Sequence, residues 1–136
     1  MNGGWGEIDL TDSICCSAWR PLEQVENWPL AVCDGSSITY DDLIEVDLIR
    51  KDYIGSTMFA KFRPGYSWYY LESQRPDEVC LFKNFDSQEN SKAPICPHSS
   101  FEQDDVPLNT RPRKSIEVRA FVFGGPQQRP SAAADT

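Results

Sequence analysis

His98 is the only histidine in this 136-residue chain. It stands in Pro97-His98-Ser99-Ser100-Phe101, about fifteen residues ahead of Arg113-Lys114-Ser115. An imidazole can give a metal one ring nitrogen while a neighbouring acceptor holds the other. An arginine and a hydroxyl two residues apart on a strand point the same way, which suits a carboxylate bound bidentately by the guanidinium. A lone histidine ahead of an Arg-x-Ser strand suits the second half of a non-haem iron and 2-oxoglutarate site; a structural or surface histidine and an exposed strand end with solvated charges is the other reading. The usual iron ligands of such a site are two histidines and one carboxylate on one face of the metal. This chain supplies at most one of those two histidines.

Other side chains compete for roles. Arg119 is a second candidate partner for a carboxylate, or pairs with Glu117 or Asp86 across strands. Lys83 and Asp86 lie on the route toward His98, either lining a pocket or in a solvated loop. Glu102, Asp104 and Asp105 precede Val106-Pro107 and read as a loop, not a metal cluster. Trp19, Trp28, Trp68, Tyr69 and Tyr70 either stack on a substrate or fill a core. The five cysteines are odd in number and show no C-x-x-C spacing, so they read as buried free thiols. Cys96, two residues before His98, is expected to pack inward. No Gly-rich phosphate loop opens a helix, and one histidine beside Ser99 or a cysteine is too little for a nucleophile arrangement.

The elements that must position these residues are short strands: 13–19, 30–33, 44–49, 57–62, 67–71, 78–83 and 116–123, broken by ten prolines and by Gly, Asp and Asn. Asp41-Asp42-Leu43-Ile44 can open a helix of one turn, with Thr39 or Asp41 as its N-cap. Met58 to Tyr70 reads as an aromatic hairpin turning at Arg63-Pro64-Gly65-Tyr66, with both faces covered as in a sandwich. In the last strand Ile116, Val118, Ala120 and Val122 share one face, and Ser115, Glu117 and Arg119 share the other with Arg113. A polar row on an otherwise buried strand needs partners or a cavity. The fold class is mainly β with a few short helices: a sandwich, a jelly roll or a cupin-like barrel. Residues 1–13 are expected to be irregular, 14–123 to form a single jelly-roll domain, incomplete at its start, and 124–136 to be a disordered tail.

A formal charge of -8 with no basic cluster argues against a nucleic-acid footprint. Residues 1–20 lack a basic segment followed by an apolar run, and no stretch of ~18 apolar residues occurs. A cytoplasmic protein with no membrane partner is the expectation.

The segments Ala18-Trp19-Arg20-Pro21-Leu22, Trp28-Pro29-Leu30-Ala31-Val32-Cys33-Asp34, Trp68-Tyr69-Tyr70-Leu71, Pro76-Asp77-Glu78-Val79, Leu81-Phe82-Lys83-Asn84-Phe85-Asp86-Ser87, Pro97-His98-Ser99-Ser100-Phe101 and Pro112-Arg113-Lys114-Ser115-Ile116-Glu117-Val118-Arg119-Ala120 follow one another in order. In them the chain resembles the AsaB-type fungal hydroxylase/desaturase family, related to the cephalosporin 7α-hydroxylase component of methoxylation systems. The resemblance covers about residues 18 to 123. It implies a partial double-stranded β-helix and an oxidoreductase of fungal secondary metabolism, an iron(II)- and 2-oxoglutarate-type hydroxylase or desaturase of a small metabolite. It carries over His98 as the distal iron ligand and Arg113 and Ser115 as 2-oxoglutarate anchors. It assigns no other catalytic residue.

In that family an H-x-D pair of iron ligands lies upstream of the Trp-Arg-Pro segment, and residues 1–17 hold no counterpart. The expectation is the C-terminal half of such an enzyme, from a truncated gene, a mispredicted start or a separately retained module. Binding of iron and 2-oxoglutarate by this chain alone is then in question. A non-catalytic remnant or interaction half-domain, pairing an open sheet edge with another chain or with itself, is the alternative. A third reading is a small-molecule binding domain without iron that uses Arg113 and the aromatics.

Overall fold

The computed structural model describes residues 13–124 apart from residues 105 and 108. The expected irregular start and disordered tail lie almost wholly outside the described residues. The elements are β1 (Ser13–Pro21), β2 (Leu30–Cys33), a 3-10 turn (Tyr40–Asp42), β3 (Leu43–Arg50), β4 (Tyr53–Ala60), β5 (Trp68–Tyr70), β6 (Cys80–Asp86), β7 (His98–Ser100) and β8 (Ser115–Phe123). They form two three-stranded antiparallel sheets, β6-β1-β8 and β5-β2-β7, and a separate two-stranded ribbon, β3-β4. The mainly β, jelly-roll expectation holds. No helix among the described residues is long and apolar enough to cross a membrane.

β1 is the spine of the first sheet. Its alternate residues Ser13, Ser17, Trp19 and Pro21 are buried, because period-two alternation turns one row toward the second sheet. A register shift against β6 between Cys15 and Cys16 marks a bulge. Between the sheets, Trp19, Val25 and Phe82 form one core cluster, with Leu30, Val32, Cys80 and Cys96 against it. Cys33, Ile38 and Ile95 form a second, backed by Leu43 and Tyr66.

Three expectations are corrected. Met58 to Tyr70 is not a hairpin. β4 pairs instead with β3 through the tight turn at Lys51-Asp52, with Arg50 opposite Tyr53, while β5 pairs with β2. Pro64-Gly65 is a link between layers, with Gly65 at φ 101. Leu43 and Ile44 belong to β3 and not to a helix; the single 3-10 turn before them, Tyr40–Asp42, does have Thr39 as its N-cap, and the Asp42 carboxylate accepts the Thr39 N–H at 2.9 Å. Finally, Trp68, Tyr69, Tyr70 and the row Ile116, Val118, Val122 are exposed, not buried. Tyr69 lies on the opposite face of β5 from Trp68 and Tyr70 by the period of two.

The ribbon projects from the body with most of its apolar residues exposed. Ile49 and Ile54 at its tip are 72% and 83% exposed. Its base is clamped by Arg63, which donates to both Asp42 carboxylate oxygens at 2.7 Å, and by a bond from the Lys61 N–H to the Asp42 carbonyl. The guanidinium holds the Asp42 carboxyl well below the usual carboxylate range.

Candidate cosubstrate and metal site

His98 opens β7 and pairs with Val32 of β2. Its position is set from behind. The Cys33 N–H donates to the Pro97 carbonyl at 2.8 Å, and Gly35 packs so closely on the Ile95 carbonyl that any Cβ there would overlap it. The His98 Nδ1 lies 3.0 Å from the Cys96 carbonyl oxygen. A carbonyl only accepts, so Nδ1 carries the proton and the Nε2 lone pair is left for a metal or a proton donor. The ring also packs on Phe82, centroid to centroid 4.4 Å.

Arg113 stands two residues before β8. Its guanidinium lies over the Trp19 ring, 5.1 Å from the centroid, and its Nη1 is buried without a partner. Burial pulls its pKa down from the ordinary arginine value. Trp19 and Phe82 share a core cluster, and Phe82 touches His98. Two aromatic side chains therefore link the arginine to the imidazole. Beside Arg113 is a polar cavity of about 390 Å³, lined by Asn27, Trp28, Ser100, Thr110, Arg111 and Pro112 together with Arg113 itself. Trp28 is held there at φ 57, a left-handed conformation rare for a bulky residue. Asn27 fixes it, its Oδ1 accepting the Trp28 N–H at 2.7 Å and the Gln103 N–H at 3.0 Å.

Ser100 was not apparent as a site residue from the sequence. It lies two residues beyond His98 on the same face of β7, a separation of ~6.6 Å at ~3.3 Å per residue. That span is comparable to a five-carbon diacid. Ser115 lies elsewhere: it is exposed, stands opposite Pro21 and does not line the Arg113 cavity. The signal for Ser100 was present in the period of two running through His98-Ser99-Ser100.

A second, larger cavity of about 700 Å³ opens in front of His98, between the ribbon and the sheets. Met58, Phe59, Trp68 and Phe85 give it apolar walls, and Asn84 and Arg119 supply polar groups. Behind these runs a bonded row. The Ser17 hydroxyl donates to Glu117 Oε1 at 2.7 Å and accepts from Asn84 Nδ2 at 2.7 Å, and Arg119 Nε donates to the same Glu117 oxygen at 3.0 Å. Burial works against the Glu117 carboxylate, but Ser17 and Arg119 more than offset it, so its pKa lies below the ordinary value. Arg119 is therefore engaged in a salt bridge, whereas Arg113 is not.

Lys83 and Asp86 pair with each other away from the His98 cavity. The Asp86 carboxylate also accepts the Ser91 hydroxyl at 2.8 Å and the Gln88 N–H at 3.0 Å; Lys83 above all, with these two, pulls its pKa down to about 2. The cysteines are free thiols. Cys96 donates to the Cys33 carbonyl at 3.2 Å, and burial pushes its thiol up to about 11, which makes it an inert packing group.

The residues present fit 2-oxoglutarate, because Arg113, whose buried Nη1 has no partner, and Ser100 line one polar cavity. They do not by themselves fit iron. Among the described residues no three His, Cys, Asp or Glu side chains come together, so His98 is a single donor.

Comparison with known proteins shows the family. The profile of the oxidoreductase/YMDC permease-like domain matches residues 13–123. The Fe(II)/2-oxoglutarate-dependent dioxygenase nvfI of Aspergillus novofumigatus is 46% identical over 87% of this chain and 48% of its own. The hydroxylase/desaturase efuI of Hormonema carpetanum is 36% identical over 95% and 47%. The hydroxylase/desaturase asaB of Aspergillus flavus is 34% identical over 77% and 52%. A solved structure of the iron and alpha-ketoglutarate-dependent endoperoxidase NvfI superimposes with a TM-score of 0.74, at 42% identity over 84% of this chain and 43% of that one. The chain spans about half the length of the curated relatives it matches. It belongs to the oxidoreductase/YMDC permease-like domain family, and its homologues there are fungal Fe(II)/2-oxoglutarate-dependent dioxygenases and hydroxylase/desaturases.

Proposed function

We propose that this chain carries the 2-oxoglutarate-binding half of an oxidoreductase site that hydroxylates or desaturates a small fungal secondary metabolite, with His98 as one metal donor. The buried, unpartnered Arg113 nitrogen carries this reading. Arg113 takes the distal carboxylate of 2-oxoglutarate in its fork, and the Ser100 hydroxyl donates to the same group. The co-substrate's other end then lies toward His98. When bound, 2-oxoglutarate supplies two electrons by oxidative decarboxylation to succinate. Trp19 and Phe82 exclude water along the way, and the Cys96 carbonyl holds the imidazole in the tautomer that presents Nε2. The cavity walled by Met58, Phe59, Trp68 and Phe85 receives the metabolite.

The test separates binding from turnover. Titrating the purified chain with 2-oxoglutarate is expected to change tryptophan emission through Trp19, in His98→Ala as in the parent. No saturable response in either protein would overturn the reading. Succinate is not expected above a no-protein blank when iron(II) is added, because His98 is a lone donor among the described residues.

A further inference from the structure

We propose that β8 is an interface between two copies of this chain, paired antiparallel and in register about a two-fold axis at Val118. β8 is an edge of the β6-β1-β8 sheet, and its outer side meets no strand among the described residues. It is nine residues long and exposed throughout. It is bonded to β1 without a register shift, from Ser13 opposite Phe123 to Pro21 opposite Ser115. Solvent-facing edges are ordinarily blunted by proline, lysine, a bulge or shortness. Ser115–Phe123 has none of these, and its two inward charges, Glu117 and Arg119, are of opposite sign.

Charge selects the register. With the axis at Val118, Glu117 stands opposite Arg119 of the partner subunit, and Arg119 opposite Glu117 of the partner subunit. Axes at residues 117 or 119 would instead set two carboxylates or two guanidinium groups face to face, which destabilises a cross-strand pair. Within one copy the bonds from Ser17 and Arg119 both fall on Glu117 Oε1, leaving Oε2 for the partner subunit. On the opposite face Val118, 61% exposed, meets its own copy, and Ile116 meets Ala120 of the partner subunit. The axis stands perpendicular to the sheet, so inner faces stay on one side and two three-stranded sheets become one of six. Glu117 and Arg119 lie on that inner face, so the second copy closes the open flank of the sandwich beside the His98 cavity, which Arg119 lines.

Light scattering behind size exclusion tests this. The chain is expected at twice its own mass, and Val118→Lys, which sets two ammonium groups on the axis, at its own mass with an unchanged far-ultraviolet circular dichroism spectrum. Glu117→Arg and Arg119→Glu are each expected to run as monomers and to form a heterodimer on mixing, because the opposite charges then meet again across copies. Oxidised Val118→Cys is expected to give a disulfide-linked dimer beyond the parent's background. Val122→Cys is not, since its two copies lie eight residues apart, ~26 Å at ~3.3 Å per residue. A monomeric parent, a dimeric Val118→Lys or equal cross-linking at 118 and 122 would overturn the proposal.

Discussion

The guanidinium of Arg113 lies over the indole of Trp19, with its Cζ 5.1 Å from the ring centroid. A cation over an aromatic face is attracted by the ring, and the same arginine lines the adjoining cavity. A core tryptophan thus holds the arginine beside that cavity before any ligand arrives.

Arg113→Lys keeps the charge and loses the fork. Charge-assisted bonds contribute ~1.5–3 kcal/mol each, so 2-oxoglutarate affinity is expected to fall about tenfold or more. Tryptophan emission or calorimetry measures it, and an unchanged affinity would remove Arg113 from the site.

The structure and the R-x-S pattern disagree about the serine. Ser100→Ala is expected to weaken 2-oxoglutarate binding several-fold, in line with ~0.5–1.5 kcal/mol for one hydrogen bond. Ser115→Ala is expected to leave it unchanged. The reverse order would restore the sequence-based assignment.

That disagreement shows what a single sequence makes legible here. Strand positions could be read from alternation, and β1, β2 and β8 fall where it places them. His98 and Arg113 stood out as rare or strongly charged groups near strand starts. The partner of β4 did not, because Pro64-Gly65 is a stronger turn signal than Lys51-Asp52, and both flanking segments are aromatic-rich. The row of Ser17, Asn84, Glu117 and Arg119 was equally hidden. It depends on the register of β1 with two strands far away in sequence, which no local pattern encodes.

Asp86 makes folding stability depend on acid. Its carboxyl is held down at about 2 in the folded chain by Lys83, Gln88 and Ser91, against about 3.9 for a free aspartate. The contribution is fully present above the unfolded value and is lost as pH falls from about 4 toward 2. Asp86→Asn is expected to melt lower at neutral pH and to flatten the decline across that window. Denaturant midpoints at pH 7 and pH 3 check it.

Gly35 is irreplaceable for a steric reason. A Cβ would overlap the Ile95 carbonyl oxygen and press on the Ala93 side chain. Both belong to the segment leading into His98, so backbone must move. Gly35→Ala is expected to cost ~1–3 kcal/mol, the usual range for overpacking, and to shift the His98 ring resonances in NMR spectra. Melting with unchanged resonances would mean that the segment relaxes without reaching the imidazole.

The ribbon of β3 and β4 gives the larger cavity one compliant wall. Isolated two-stranded units are marginal in water, and this one is secured at its base by Asp42, Arg63 and Lys61. Its amides will exchange with solvent by local opening long before those of β1, which is flanked by strands on both sides. Met58 and Phe59 are carried by the ribbon, whereas His98 opens a strand of the body and Arg113 stands just before another. Such a jaw can admit bulky guests of differing outline, and the energy needed to part it is set by the Asp42–Arg63 clamp, not by the groups that face the chemistry.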